Sequence, residues 1–437
     1  MKNLSLTILS SLIALSIVFG QQIPKPALVG YWENWGSLKL TEVHDHYNVI
    51  QLAFATTRGS SLYNMEFNLP YNYSKRSFIR DAQELQKNGK VLILSMGGQA
   101  DPIRLDNQNA YDGFVASMKE IMQDYDFVFD GLDIDFEGES MDFGYWTMDA
   151  PANGQVFLVQ AMRELQTFYQ DNTNKRMMLT MAPETVYIVG ALSQWQLNNT
   201  NGGAMLPIID EMLDEIDLLH PQFYNATESI AIDGRTYKDD GSPDYMVAIS
   251  ESILQGFSLK GGKGYFAGFP EEKFAIGLPS GICSAGSGYV NPEKIEGAID
   301  YLRGKSNKPQ DVSYSLKSSY PNLAGLMTWS INGDYKSNCS ESWSFAESFK
   351  NSFPEEVETS ITTPEGFSVG SIYPNPTSGE LHFADFEPFS EITIFYDTGV
   401  IIASVRLNEN AEFDLSGYSG GTYIIEIGNK YYRIVKY

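Results

Sequence analysis

Residues 130–138 read DGLDIDFEG, a segment in which carboxylate and apolar side chains alternate. In a β-strand, successive side chains point to opposite faces of the sheet. The Leu, Ile and Phe of the segment would then share one face, and the other face would carry Asp133, Asp135 and Glu137. Lining a strand face with three acids costs stability, so the pattern indicates that the acids serve a function.

The spacing of these acids predicts shared protons. Side chains on one face of a strand lie roughly 6.5–7 Å apart. Three carboxylates this close cannot all ionise in a partly desolvated site, so at least one pKa must be raised. A carboxyl group that stays protonated near neutral pH can act as a general acid. Glu137, nearest the carboxyl end of the strand, is the candidate proton donor, and Asp135 and Asp133 would hold and recharge it.

Alternating acids could instead ligate a divalent cation such as Ca²⁺ or Mg²⁺. Against this alternative, the acids lie on a straight strand and not on a loop that wraps around an ion. His44 and His46 precede the second predicted strand, where a solvated turn near the other face is the favoured interpretation. We therefore expect neither a metal nor a cofactor.

Other predicted strands end in residues suited to contact a ligand. The run KVLILSMGG contains Ser95 and ends in two glycines, which leave room for a ligand and let backbone approach it. Gln222 and Tyr224 share one face of HPQFYN, so both could reach the same site. Trp329 ends the run LAGLMTW.

Four of the six tryptophans fall at predicted strand ends or in the loops beyond them, namely Trp32, Trp35, Trp146 and Trp329. Trp195 and Trp343 lie within helical stretches and are assigned to the core. Aromatic planes beside an acid-lined site can pack against the C–H faces of pyranose rings. The residues therefore favour glycoside hydrolysis.

A second catalytic carboxylate is not evident. Glycosidases usually place two carboxylates on opposite sides of the scissile bond. Glu33 and Glu184 follow the first and fifth predicted strands, but nothing in the sequence supports either. A substrate whose 2-acetamido group attacks its own anomeric carbon would remove this need, and Asp135 and Tyr224 are placed to orient that group.

The elements that must position these residues repeat along the chain from Leu28 to about Trp329. Eight short apolar runs alternate with amphipathic stretches: LVGYW, NVIQLAFA, KVLILSMGG, FDGLDIDFEG, RMMLTMAPE, EIDLLHPQFYN, KFAIGLPSG and LAGLMTWS. Eight such units predict an α/β fold, a (β/α)8 TIM barrel. A doubly wound open sheet is the alternative, weakened because no glycine-rich nucleotide motif follows a strand.

Composition and chain ends limit the partners and the compartment. A net charge of −25 argues against nucleic acid or an anionic membrane as partner. The start, MKNLSLTILSSLIALSIVFGQQ, predicts a secretory signal peptide, with an uncleaved anchor as the alternative. Cys283 and Cys339 could form a disulfide in an oxidising compartment, and this pairing is left open.

The βα pattern stops near Phe353. The segment PEEVETSITTPEG reads as a linker, and the short strands beyond it predict a small all-β sandwich. The expected organisation is a signal peptide, a barrel, a linker and a sandwich, at residues 1–21, 22–353, 354–366 and 367–437.

The acidic strand resembles a known pattern, D-G-x-D-x-D-x-E, the signature of glycoside hydrolase family 18, the chitinases and their relatives. GYWENW, SMGG, MAPE, QFYN and MTWS follow in the family's order. The resemblance implies a TIM barrel, retention of configuration and the substrate-assisted route.

The resemblance also implies roles for individual residues. Glu137 would be the acid/base, Asp135 would position the acetamido group and Asp133 would be its proton partner. Tyr224 would contact the acetamido carbonyl, and Trp329 would form the floor of the subsite that holds the distorted sugar. Asp130 would be a structural member of the motif. Further substrate contacts are expected from residues in or after these motifs: Tyr31, Trp32, Trp35, Ser95, Trp146, Met181 and Gln222.

Only about 40 residues separate GLPSG from LAGLMTWS, too few for the α+β insertion of many processive relatives. The groove should therefore be shallow and open, as in short-groove bacterial chitinases, which suggests internal cleavage of a chitin chain. The protein is expected to be a monomer. Two alternatives stay open: an endo-β-N-acetylglucosaminidase that acts on N-glycan cores, and, less favoured because Glu137 is kept, a chitin-binding lectin.

The C-terminal module resembles the sorting domain of the Bacteroidetes type IX secretion system through YPNPTSG, GTYIIEI and the terminal RIVKY. The resemblance implies transit through the periplasm, engagement of the secretion machinery by residues 367–437, and a secreted or cell-surface protein. A carbohydrate-binding module is the alternative.

Overall fold

The structure is a computed structural model that describes residues 22–99, 102–226, 228–336, 341–354, 371–373, 377–384, 386, 388–396, 401–418, 420–427 and 430–436. The chain divides into two compact units, residues 1–355 and 356–437, which are described separately. The expected signal peptide at 1–21 and nearly all of the expected linker at 354–366 lie outside the described residues.

Within its described residues, the first unit contains thirteen strands. In chain order they are β1 Ala27–Glu33, β2 Val49–Thr57, β3 Met65–Phe67, β4 Val91–Gly98, β5 Gly131–Phe136, β6 Met178–Met181, β7 Leu218–Leu219, β8 Ser229–Ile230, β9 Thr236–Tyr237, β10 Phe257–Ser258, β11 Tyr265–Phe266, β12 Ala275–Pro279 and β13 Gly325–Trp329.

Eight of these strands pair in parallel in the order β12-β13-β1-β2-β4-β5-β6-β7. Isolated parallel bridges from Leu219 to Phe274 and from Gln222 to Gly277 join β7 to β12 and close the sheet into a barrel. The eight barrel strands lie in the eight apolar runs found in the sequence, so the TIM-barrel prediction is confirmed.

Helices cover the outside of the barrel. They are α1 Lys75–Lys87, α2 Gln108–Asp124, α3 Asn153–Thr173, α4 Val186–Val189, α5 Gln194–Asn199, α6 Leu206–Glu211, α7 Pro243–Gln255, α8 Pro292–Leu302, α9 Ile331–Tyr335 and α10 Ser344–Ser352. At the start of α1, the Ser74 hydroxyl accepts a hydrogen bond from the Ser77 N–H, which satisfies one of the free donors of the first turn. None of the helices in the described ranges combines the length and apolar character that a membrane span requires.

Side-chain alternation divides the core into two clusters. Leu52, Leu94 and Leu132 point outward and pack in the large cluster between the strands and the helices. Val29 and Ile93 point inward and belong to a smaller cluster in the lumen. Because a strand in the barrel wall has both faces covered, a polar residue on the inner face is removed from water unless it lies near the open end.

The second unit is all-β. Its strands are β14 Ser371–Tyr373, β15 Glu380–Ala384, β16 Glu391–Tyr396, β17 Ile401–Arg406, β18 Glu412–Asp414, β19 Gly421–Ile427 and β20 Lys430–Lys436. They form two antiparallel sheets, β14-β15-β18 and β17-β16-β19-β20. Leu381 and Phe383 of one sheet and Ile394 and Ile425 of the other share a single apolar cluster, as in a sandwich.

Candidate active site

The acidic strand predicted from the sequence is β5. Ile134 and Phe136 belong to the outer cluster. Asp133 and Asp135 point into the lumen and are 0% and 2% exposed, while Glu137, just beyond the end of the strand, is partly exposed. The three acids therefore form a row that rises from the closed interior toward the open carboxyl end of the barrel.

Asp133 is surrounded by donors from three other strands. The hydroxyls of Tyr31, Ser95 and Thr180 donate to its two carboxylate oxygens at 2.7, 2.7 and 2.6 Å. His220 Nε2 lies 3.3 Å from Oδ1. Burial by itself would raise the pKa of Asp133, but His220 and the hydroxyl donors outweigh burial and lower it. Asp133 is therefore held as a carboxylate.

Asp135 has the opposite environment. Burial raises its pKa well above the usual range, and the negative charges of Glu137 and Asp133 raise it further. A hydrogen bond from Gln222, whose Nε2 lies 2.8 Å from Asp135 Oδ1, opposes this shift. Asp135 therefore retains a proton at a pH at which an exposed aspartate has lost it.

Glu137 is hydrogen-bonded to Asp135, so the two carboxyl groups share that proton. Burial raises the pKa of Glu137, and hydrogen bonds with Gln222 and Asp135 moderate the shift. Gln222 Nε2 lies 2.9 Å from Glu137 Oε1, so a single amide bridges the two carboxyl groups. With Asp133 ionised below them, Asp135 and Glu137 form a coupled pair that holds a proton between them.

Tyr224 is buried beside this pair. Burial raises the pKa of its phenol well above the usual value, and the neighbouring charges of Asp135 and Glu137 raise it further. The phenol therefore stays protonated and can donate a hydrogen bond toward the acids or toward a ligand.

A cleft of about 680 Å³ opens next to the acids. Gly97 lines it and pairs in register with Asp135 on the neighbouring strand. Gly97 has φ +108°, and a Cβ there would lie 2.5 Å from the Asp135 carbonyl oxygen, so only glycine fits. The lining is uncharged and rich in aromatic and amide side chains: Asn34, Trp35, Phe54, Thr56, Asn68, Leu69, Pro70, Tyr71, Gly97, Gly98, Gln99 and Trp329.

Aromatic rings form the floor of this cleft. The Phe54 ring stacks on that of Trp329 with centroids 5.8 Å apart and an interplanar angle of 11°. Trp35 stacks on Phe54 at 6.2 Å and 26°, and its side chain is 58% exposed. Tyr31 supports Trp329 from inside the barrel at 5.6 Å. An exposed aromatic floor with amides around it suits a neutral sugar chain.

Several residues predicted to contact substrate lie elsewhere. Trp32 is fully buried on the outer face, where its indole N–H donates to the Leu38 carbonyl oxygen at 2.9 Å. Met181 is also fully buried in the outer cluster. Trp146 is 4% exposed, with the Lys263 ammonium 4.1 Å from its ring centroid. These three predictions are wrong for this structure, because each side chain packs in the outer cluster, whereas Tyr224, which is equally buried, packs in the cluster of the lumen.

Two other residues that were predicted to contact substrate do not line the cleft. Tyr31 and Ser95 are buried and donate to Asp133, so they position the acid and do not reach the cleft. Asp130 accepts hydrogen bonds from the Leu92 N–H at 2.9 Å and from Gln86 Nε2 at 2.7 Å. It thus ties the start of β5 to β4 and α1.

Sequence reasoning missed Phe54, Tyr71, Thr180 and His220. Alternation within HPQFYN could have found His220, since it shares a face with Gln222. Trp195, assigned to the core, is in fact 64% exposed on α5, whose buried residue is Gln196. His44 contacts Glu347 at 3.0 Å, and His46 contacts the Ala346 carbonyl oxygen at 2.9 Å.

Cys339 lies outside the described residues, so its pairing with Cys283 stays a prediction.

Comparisons with known proteins identify the families of the two units. Residues 27–281 match the family described as glycosyl hydrolases family 18, and residues 371–437 match the secretion system C-terminal sorting domain. Chitinase Chi52 of Paenibacillus xylanexedens is 35% identical over 322 residues, which cover 71% of this chain and 59% of that protein. Chitinase D of Niallia circulans is 33% identical over 350 residues, covering 76% and 64%.

Among solved structures, a family GH18 chitinase from Chromobacterium violaceum superposes with a TM-score of 0.63 at 29% identity, covering 76% of this chain and 84% of that one. The chain spans about three fifths of the length of the two curated relatives.

Proposed function

This chain belongs to family 18 of the glycosyl hydrolases, and from that premise we propose that it is a secreted chitinase. It would cleave β-1,4-linked N-acetylglucosamine polymers at internal bonds, with retention of configuration. The observation that carries the proposal is the pair of buried acids Asp135 and Glu137, bridged by the Gln222 amide, beside an uncharged aromatic cleft. A neutral sugar chain can bind in such a cleft, and the pair of acids can supply the proton that the glycosidic oxygen needs when its bond breaks.

The mechanism follows from the positions of the acids. Glu137 donates its proton to the glycosidic oxygen as the bond to the anomeric carbon breaks. The carbonyl oxygen of the substrate's own 2-acetamido group attacks that carbon and forms a cyclic oxazolinium. Asp135, left as a carboxylate once the proton is on Glu137, accepts the acetamido N–H and stabilises the positive charge. The protonated Tyr224 donates to the acetamido oxygen before attack.

The second step returns the site to its starting state. Glu137, now a carboxylate, removes a proton from a water molecule, which attacks the anomeric carbon and opens the oxazolinium ring. Two displacements at one carbon give retention. Asp133 keeps its charge throughout, because its donors remain in place, and that fixed charge discourages the ionisation of Asp135 between turnovers.

Internal cleavage is supported by the short segment between β12 and β13. Residues 280–324 contain one helix, α8, and no strand, so no additional domain walls off the groove. An open groove lets a polymer bind anywhere along its length. The open cleft and the aromatic floor support Trp35 and Trp329 as substrate-binding residues. Gln222 bridges Asp135 and Glu137, and we keep it as a proposed contact with a sugar bound beside these acids.

The C-terminal unit directs the chain out of the cell, to the surface or the surrounding medium. We assign catalysis to residues 22–353 and engagement of the type IX machinery to residues 367–437, and we propose that the enzyme acts as a monomer.

The test is mass spectrometry of the products from a chitin hexasaccharide. Wild type should give internal cuts, and Glu137→Gln should bind the oligomer but lose most turnover. Glu139→Gln, which removes an exposed acid two residues further on, is the matched control and should cut normally. If wild type left chitin oligomers intact but released N-glycans from a glycoprotein, the endo-β-N-acetylglucosaminidase would replace this proposal. Binding of oligomers without cleavage of either substrate would indicate a lectin.

A further inference from the structure

A carboxyl group shortly after β6, the strand next to β5, lies beside the proposed acid. β5 and β6 pair in parallel, with Asp133 opposite Thr180 and Ile134 opposite Met181. Continued past the strand ends, the same register sets Glu137 opposite Glu184. Neighbouring strands are about 4.8 Å apart, and this parity points both side chains into the barrel.

Further contacts keep Glu184 in this position. It forms a parallel bridge with Gln222, the residue whose amide joins Asp135 and Glu137. Its carboxyl group is hydrogen-bonded to Tyr187, and the Tyr187 hydroxyl accepts from the Gly138 N–H at 3.2 Å. Tyr187 thus ties Glu184 to the residue that directly follows Glu137.

Burial makes ionisation of Glu184 costly. It raises the pKa of this group to about 7, and the charge on Glu137 contributes to the shift. The titratable groups that face it are Asp135 and Glu137 from β5, Tyr187 from α4 and Tyr224 after β7. Within the described residues, no Lys, Arg or His side chain offsets its burial.

We propose that Glu184 is a positioning residue that holds the catalytic proton on Glu137 by placing a second carboxylate across the strand pair. The inference rests on the proposed function, since it assigns a part in the same reaction. Substrate-assisted hydrolysis needs no second carboxylate to attack the sugar, which leaves Glu184 free to act on the acid.

The sign of the effect follows from repulsion between like charges. The repulsion is mutual: the charge on Glu137 raises the pKa of Glu184, and a charge on Glu184 opposes ionisation of Glu137 in the same way, so the proton leaves Glu137 at a higher pH while Glu184 is ionised. Removal of the Glu184 charge lowers the pKa of Glu137. The basic limb of the pH profile of kcat/KM, where the acid loses its proton, then moves to lower pH.

The first experiment is the pH profile of kcat/KM on chitin tetrasaccharide for wild type, Glu184→Gln and Glu139→Gln. We expect the basic limb of Glu184→Gln to shift down by about one pH unit, which is a roughly tenfold loss on the basic side with little loss on the acidic side. Glu184→Asp should recover part of the shift, and Glu139→Gln should match wild type. An unmoved limb, or an equal loss at every pH, would overturn the inference.

A second measurement does not depend on turnover. Carboxyl ¹³C NMR of protein labelled at glutamate gives the titration of Glu137, assigned by its loss in Glu137→Gln. The titration should move to lower pH in Glu184→Gln and stay in place in Glu139→Gln. If wild type cut no substrate at all, the proposed function would fail while this titration still decided the role of Glu184.

Discussion

Asp133 and Asp135 lie two residues apart on β5 and are almost equally buried, yet their pKa values move in opposite directions. We call Asp133 and its donors the lower layer, and Asp135, Glu137, Gln222 and Glu184 the upper layer. Burial raises the pKa in both layers. The lower layer reverses the effect with three hydroxyls and a histidine, whereas in the upper layer one amide, that of Gln222, serves both Asp135 and Glu137.

This difference assigns separate tasks to acids of the same type. A carboxylate with many donors is a fixed charge, because protonation would break the hydrogen bonds that hold it. A carboxyl group with few donors and anionic neighbours is a proton store. One strand can therefore carry both a permanent charge and a mobile proton, and the surrounding strands decide which acid has which role.

The largest effect should come from removing a carboxyl group of the upper layer. Asp135→Asn should lower kcat by about 10²–10⁴-fold, because the amide cannot become the carboxylate that stabilises the acetamido group. KM should change much less. The check is steady-state kinetics on a chitin oligomer, and turnover within threefold of wild type would contradict the division into layers.

The same substitution should have the opposite effect on stability. A raised pKa in the folded state means that stability falls as pH rises from about 4 toward that pKa. Asn does not titrate, so Asp135→Asn should unfold at a higher temperature than wild type at pH 7. Differential scanning calorimetry at pH 4 and pH 7 measures this, and the gain should be larger at pH 7.

In the lower layer, the main effect should be on stability. Asp133→Asn leaves buried donors without their anion and should lower the free energy of unfolding by about 3 kcal/mol at pH 7. A depressed pKa stabilises the fold above the unfolded value near 4, and this contribution is lost as pH falls further. The deficit of the variant should therefore shrink below pH 4 in denaturant titrations. A constant deficit would mean that Asp133 is not held as an anion.

Substitution of Gln222 tests the role of the hydrogen-bond donor in the upper layer. Its hydrogen bonds lower the pKa of both Asp135 and Glu137, so Gln222→Leu should raise both values. The acidic limb of the pH profile of kcat/KM is the range in which Asp135 and Glu137 together take up a second proton. This limb should move to higher pH by about half a unit to one unit. A shift to lower pH would show that Gln222 does not stabilise the charged form.

A substitution outside both layers should leave the pH profile of kcat/KM unchanged. Trp35→Ala removes an exposed ring of the cleft and should raise KM roughly fivefold to tenfold with the pH limbs unmoved. Tyr145→Ala is the matched control, because Tyr145 is 80% exposed and does not line the cleft. Equal effects of the two variants on KM would argue against the aromatic floor as a sugar subsite.

Sequence reasoning placed residues correctly where the two-residue repeat of a strand was enough to predict the face on which a side chain lies. Alternation along DGLDIDFEG placed Asp133 and Asp135 on the inner face because both faces of a barrel strand follow the same two-residue repeat. The wrong assignments ignored that repeat. Trp32 directly follows the inward Tyr31, and Met181 is opposite the outward Ile134, so proximity to a strand end was a weaker guide than parity.

The sequence alone determined the barrel, the inner-face row of acids and the order of the motifs, because hydrophobic period and residue type are local properties. Only the tertiary structure decided that the pKa of Asp133 is lowered while the pKa values of Asp135 and Glu137 are raised. The donors to Asp133 come from Tyr31, Ser95 and Thr180, which are 102, 38 and 47 positions away. A pKa depends on the charges and hydrogen bonds within a few ångströms, and these neighbours meet only when the barrel closes.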